Sequence, residues 1–152
     1  RYYQSPEETA LAKIADGPSL WHRMGDLGYL DDRGRLWFCG RKAHRAETPA
    51  GLLCPVPCEA VFNAHEAVAR SALVAWGKRG KQSVAVVIER NAKGRKMNRQ
   101  VLAGQLLEMA RGNPLTAQIG SVHFCDRFPV DVRHNIKIDR LKLAQEVMRG
   151  KI

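Results

Sequence analysis

No apolar run in this sequence is long enough to cross a bilayer, so a transmembrane segment is not expected. Cysteine is scarce, with four residues at 39, 54, 58 and 125, and none of them form paired CxxC knuckles. That pattern excludes a disulfide scaffold and points to reduced thiols in a cytoplasmic protein, with the cysteines acting as small buried apolar residues. Cys54, Cys58 and the nearby His44 could be drawn as a zinc site, but Pro55 and Pro57 fall between the two sulfurs, and structural sites favour two intervening residues. No metal-ligand set is therefore identified. No internal repeat or low-complexity tract occurs. The chain does not begin with Met, and Arg1-Tyr2-Tyr3 resembles neither a signal nor a transit peptide. The expectation is a piece of something longer.

What is present is a basic, half-apolar chain. Its 152 residues are 45% apolar, which suits one compact core or a core with an appendage. Twenty-five Lys and Arg against fifteen Asp and Glu leave a formal charge of +10, which raises nucleic acid as a partner. The basic residues are scattered, however. Lys78, Arg79 and Lys81 form one group, Lys93, Arg95, Lys96 and Arg99 a second, and Arg133, Lys137, Arg140 and Lys142 a third, none interleaved with aromatics as a single-strand platform is. Nucleic-acid binding is not expected. A solvated basic surface, or a rim around an anionic nucleotide, accounts for the groups as well.

Local patterns give an element order. Ser5-Pro6-Glu7-Glu8 has the form of a capping box, predicting a short helix to about Ile14 that Gly17-Pro18 ends. Leu20 to Arg23 can be a strand. Leu27 to Leu30 and Arg35 to Cys39 flank the turn Asp31-Asp32-Arg33-Gly34 as a hairpin. A second hairpin with its tip at Thr48 to Gly51 precedes a short helix from Glu59 to Ala64. Ala69 to Trp76 and Ser83 to Glu89 read as paired antiparallel strands. Asn98 caps a helix from Arg99 to Arg111 with Val101, Leu102, Leu106 and Met109 on one face, and Val122 to Cys125 is a further strand. Asp139 to Met148 closes the chain as a helix with Leu141, Ala144, Val147 and Met148 inward. The fold class is α+β: a short hairpin and an antiparallel sheet packed with about three helices, preceded by a small helix and strands. The boundary falls at Gly40 to Ala43, giving regions 1–40 and 41–152.

Three segments carry candidate chemistry. Met24-Gly25-Asp26-Leu27-Gly28 sets a carboxylate between glycines, where it can accept hydrogen bonds from vicinal hydroxyls. Gly40-Arg41 offers a planar donor fork suited to phosphate or ribose. Lys137, in a loop just before a helix start, can present its ammonium to a phosphate or carboxylate oxygen. Each also has an ordinary reading: an acidic turn, a surface arginine, a solvated lysine.

In order and separation the three resemble the adenylate-forming superfamily of acyl-CoA synthetases, nonribosomal peptide adenylation domains and luciferases. Tyr2-Tyr3-Gln4-Ser5-Pro6-Glu7-Glu8-Thr9 looks like that family's Tyr-Tyr-Asn-x-Pro-Glu-x-Thr segment. Trp21 to Asp31 is similar to its ribose motif, Leu36 to Lys42 to the strand and Gly-Arg before its hinge, and Pro129 to Arg140 to its terminal Lys-Ile-x-Arg motif. The resemblance implies that Asp26 and Arg41 bind nucleotide, that Arg41, Lys42 and Ala43 form the hinge, and that Lys137 is the catalytic lysine. It makes residues 1–40 the end of an N-terminal adenylation domain and 41–152 a mobile lid, with ATP and Mg²⁺ as cofactors. The fragment alone is expected to be inactive, because the phosphate loop and acyl pocket are missing from it.

Departures from the pattern suggest a branch. Ala43 stands where a hinge Asp or Lys is usual, and Thr48-Pro49-Ala50-Gly51 replaces the glycine loop that helps line the pantetheine passage. Trp21 to Asp26, Gly40 to Arg45 and Arg133 to Arg140 resemble the olefin-biosynthesis β-lactone synthetases, which activate a long-chain β-hydroxy fatty acid and close it on its own hydroxyl without a thiol. Other olefin-pathway enzymes are then possible partners. A fatty acyl-CoA ligase is the alternative, and a basic nucleic-acid-binding or scaffold module a more distant one.

Overall fold

The computed structural model describes residues 3–131 and 134–152. Arg1, Tyr2, Val132 and Arg133, which include the start of the first motif, two inner positions of the last and one basic residue of the third group, lie outside them. The chain divides into two units, Arg1–Ala43 and His44–Ile152.

The first unit is a helix and two hairpins. Helix α1 (Pro6–Ala12) begins on its proline, whose fixed φ suits a first helical position. The expected capping box does not form: the Ser5 side chain makes no capping bond, and its carbonyl instead accepts from the Thr9 hydroxyl at 2.8 Å. The helix also stops earlier than Ile14. Lys13 opens strand β1 (Lys13–Asp16), which pairs antiparallel with β2 (Ser19–His22). Gly17-Pro18 is therefore a two-residue hairpin loop and not a helix stop. Gly17, at φ 54°, supplies the positive φ that lets such a loop follow the strand twist. Strands β3 (Asp26–Leu30) and β4 (Leu36–Arg41) form the second hairpin. Among the described residues this unit buries only Ala12 and Gly40, whereas Leu20, Trp21, Leu30 and Leu36 are each 60% or more exposed. Two hairpins and one short helix do not make a core of their own.

A 3₁₀ turn, Lys42–His44, leads into the second unit. Hairpin β5 (Ala46–Thr48) and β6 (Gly51–Leu53) is followed by α2 (Pro55–Asn63), which starts four residues before Glu59 because Pro55 takes its first position. Strands β7 (Val68–Trp76) and β8 (Ser83–Arg90) pair antiparallel, as their patterns predict. An unexpected short helix α3 (Ala92–Lys96) is capped by Asn91, and α4 (Arg99–Arg111) is capped by Asn98, whose Oδ1 accepts from Gln100 N at 2.8 Å. These helices form a crossover, so β9 (Val122–Cys125) returns parallel to β8, which makes the sheet mixed where an antiparallel one is expected. Strands β10 (Val130–Asp131) and β11 (His134–Ile138) and helix α5 (Arg140–Met148) complete the chain.

The sheet order β7-β8-β9 puts β8 in the centre, apolar on both faces. Val86 and Ile88 pack with Leu73, Phe62, Leu102 and Leu106 under α2 and α4. Ala85 and Val87 pack with Val74, Phe128, Leu143 and Val147 under α5. The α+β class holds. Two helix faces differ from expectation. On α5 the inward set is Leu143, Ala144 and Val147, while Leu141 and Met148 are 77% and 61% exposed. The reason is Arg140, whose guanidinium turns inward and so fixes the face running 140, 143, 144, 147. On α4 Val101 faces outward, and Leu102, Leu106 and Ala110 are buried. Of the cysteines only Cys58 is buried; burial pushes its thiol up to about 12, and none of the four is in a disulfide.

Candidate functional site

The β3–β4 hairpin holds two of the three candidate groups. Its turn is built on Asp31, whose carboxylate accepts from the backbone N–H of Arg33 and Arg35, from Arg35 Nε at 2.7 Å, and from the Trp37 indole at 2.9 Å. The indole bond leads these in holding the Asp31 carboxyl down to about 2. Tyr29 stacks on Trp37, with ring centroids 6.4 Å apart, and Arg35 lies over the same indole. With the turn fixed, the register brings Asp26, the first residue of β3, opposite Arg41, the last of β4.

The two side chains meet: Arg41 Nε lies 3.2 Å from Asp26 Oδ1, and Arg41 NH1 donates to the Met24 carbonyl at 3.0 Å. The Lys42 backbone N–H donates to the Gly25 carbonyl at 2.8 Å, extending the clasp beyond the strands. Asp26 keeps about a third of its side chain exposed, at 31%, so the carboxylate can still accept from a ligand. A cleft of about 430 Å³ opens here, lined by Arg23, Met24, Asp26, Gly28, Leu36 and Phe38 among others. Gly28 serves the hairpin itself. A Cβ there would stand 2.8 Å from the Trp37 carbonyl oxygen, so the bare backbone lets β4 approach closely at a register shift.

Lys42 and Ala43, the other hinge candidates, lie in the 3₁₀ turn at the end of the first unit. Lys137 belongs to the second unit. It sits on β11 and not in a loop: Val130 pairs with Ile138 and Asp131 with His134, so one step on β10 faces four on β11. Lys137 lies within that irregularity, exposed, beside the core residue Ile138. Sequence reasoning gave Glu59 and Arg140 no role of their own, yet they form a largely buried ion pair, with side chains 11% and 15% exposed. An Arg three residues after Lys137, together with a Glu at a position that periodicity leaves unexplained, was the available signal.

No protein-family model matches the chain. Over 94% of its length it is 44% identical to an olefin beta-lactone synthetase of Stenotrophomonas maltophilia, of which it covers 26%. Over 51% of its length it is 39% identical to a 4-chlorobenzoate–CoA ligase of an Arthrobacter species, covering 15% of that protein. In sequence this chain is similar to part of each of these enzymes. It spans about a quarter of the length of the olefin beta-lactone synthetases it matches. The likeness extends to the fold: ATP-bound MatB from Rhodopseudomonas palustris superposes with a TM-score of 0.72, covering 94% of this chain and 27% of that one at 22% identity.

Proposed function

We propose that this chain supplies the nucleotide-holding hairpin and the lysine-bearing lid of an ATP-dependent, AMP-forming carboxylate ligase. The observation that carries the reading is the contact of Arg41 with Asp26, a carboxylate that lines a cleft of about 430 Å³. That volume is in the range of small-molecule sites, roughly 300–1,000 Å³. A carboxylate accepts several hydrogen bonds, so Asp26 can hold vicinal ribose hydroxyls while Arg41 steadies it and turns its remaining donors to ribose or phosphate. These groups position the nucleotide and make no bonds to it.

In the reaction, a substrate carboxylate oxygen attacks the α-phosphorus of ATP. The bond to the β-phosphate bridging oxygen breaks, and pyrophosphate leaves with its electron pair. Two anions must approach one another, and the Lys137 ammonium bridges carboxylate and α-phosphate oxygens, where one donor contributes about 3 kcal/mol or more. Mg²⁺ would be held chiefly by the phosphates and would share their charge. Residues 41–43 serve as the hinge about which residues 44–152 turn to bring Lys137 over the phosphates and later withdraw it.

The substrate we favour is a long-chain β-hydroxy acid. Its hydroxyl attacks the acyl carbon of the adenylate, loses its proton, and expels AMP as the β-lactone ring closes. Identity of 44% over 94% of the chain to an olefin beta-lactone synthetase favours this over a fatty acyl-CoA ligase, since the likeness to CoA ligases covers 51% of the chain at 39% identity and 61% at 30%. The exposed apolar faces of the first unit would pack against the rest of an N-terminal domain in the same polypeptide. A cytoplasmic location belongs to the reading, in keeping with four cysteines outside any disulfide. Among the described residues no helix is long and apolar enough to cross a membrane.

The test uses the intact enzyme. Lys137→Ala should cut acid-dependent pyrophosphate exchange to a slow residual rate, about 100-fold or more below wild type, and an unchanged rate would discard the assignment. A β-hydroxy acid with ATP should give lactone and AMP without coenzyme A, whereas strict dependence on coenzyme A would favour the ligase.

A further inference from the structure

Glu59 and Arg140 lie 81 positions apart and share a buried bidentate contact. Glu59 Oε2 accepts from Arg140 NH2 at 3.0 Å, and Oε1 accepts both from Arg140 NH1 and, at 2.7 Å, from the Leu73 backbone N–H. Arg140 NH1 also donates to the Leu73 carbonyl at 3.1 Å. Glu59 in turn is anchored through its own carbonyl, which accepts from the Ser71 hydroxyl. A helix can be fastened to a sheet by apolar contact alone, and such contact often stabilises as well as an ion pair does. A planar fork gripping a carboxylate adds direction and register, which apolar contact does not.

What the fork orients is the stretch carrying Lys137. Arg140 is the first residue of α5, and Asp139 caps the helix by accepting from the Lys142 N–H at 3.0 Å. The Asp139 N–H donates to the Pro129 carbonyl at 2.9 Å, and Ile138 pairs with Val130 while packing on the core. Every residue between the ion pair and Lys137 is thus tied down, and the lysine is the first side chain beyond the ties.

We propose that the Glu59–Arg140 pair is a positioning device for Lys137, setting where its ammonium stands when acyl-adenylate forms. The proposal rests on the reading of Lys137 given above. Glu59 and Arg140 are bound to one another and to the Leu73 peptide, so in the folded enzyme their loss should reach the chemical step through the lysine.

A double-mutant cycle on pyrophosphate exchange, run with the intact enzyme, tests this. Glu59→Gln should lower kcat by about 30- to 100-fold, the scale of loss for a catalytic group displaced by about an ångström, while KM for ATP stays within about twofold. In a Lys137→Ala background, followed over the longer time course its slow rate needs, Glu59→Gln should change the rate by no more than about twofold. An equal loss in both backgrounds, or wild-type kcat in Glu59→Gln, would overturn the proposal and leave the reading of Lys137 standing. Wild-type exchange in Lys137→Ala would instead remove that reading and this proposal with it. Should Glu59→Gln fail to fold, as judged by circular dichroism, Arg140→Lys decides by the same cycle, because it keeps the charge but loses the fork.

Discussion

Replacing Arg140 by Met in the intact protein removes two bonds to Glu59 and one to the Leu73 carbonyl while leaving a side chain of similar length. The stranded group is a carboxylate 11% exposed, whose remaining described donor is the Leu73 N–H. Removing one partner of a buried pair costs about 3–5 kcal/mol, chiefly because the other charge stays in the interior. At a slope of about 1.5 kcal/mol per molar urea, the unfolding transition of the second unit should move down by roughly 2 M or more. Adding Glu59→Gln should then restore about 2 kcal/mol, since the amide oxygen still accepts from Leu73 and no charge is buried. Urea titrations of the wild type, both single variants and the double variant decide the matter. A cost below about 1 kcal/mol for Arg140→Met, or further loss on adding Glu59→Gln, would refute the reasoning that the cost is an uncompensated charge.

Asp26→Asn in the intact enzyme should raise KM for ATP about tenfold or more with a smaller change in kcat, because a charge-assisted acceptor for the ribose and the partner of Arg41 are lost together; steady-state kinetics at varied ATP read this. Leu143→Ala should destabilise the second unit by about 2–5 kcal/mol and Leu141→Ala by less than about 0.5 kcal/mol, although both are leucines near the start of α5, since one is fully buried and the other 77% exposed; thermal unfolding separates them. The Asp31 carboxyl is held down to about 2 in the folded hairpin, so its contribution is fully present above about pH 4, the usual aspartate range, and fades as pH falls towards 2. An acid titration of Trp37 fluorescence should therefore show a step in that window which Asp31→Asn lacks, and identical curves would contradict it.

Where the chain's instructions are local, they could be read directly. The tetrad Asp31 to Gly34 carries its own acceptor, donors and positive-φ glycine, and Asn98 caps its helix with its own side chain. Strands β7 and β8 are apolar runs on either side of a basic turn and pair as read. Failures came where distant partners decide. The inward face of α5 is set by a carboxylate on another helix, which no periodicity within Asp139 to Met148 can reveal. Lys13 to Asp16 has enough helical character to extend α1, and only pairing with Ser19 to His22 makes it a strand. Asp26 and Arg41 stand out locally as a carboxylate between glycines and a planar donor fork, and take their role from family resemblance; their contact depends on a hairpin register that includes a shift at Leu27/Gly28. Lys137 was assigned to a loop because β11 pairs irregularly and with a strand of two residues.

The Leu73 peptide has a second consequence. Strand β7 is an outer strand of its sheet, and Leu73 N–H and C=O are its groups bound by the side chains of Glu59 and Arg140. An unpaired strand margin is a template on which another chain can add itself. At the middle of β7 both hydrogen-bonding positions are occupied from within the same molecule, so a foreign strand would have to displace an arginine and a glutamate before it could dock. Variants that open the pair should accordingly be more prone to aggregate as well as less stable.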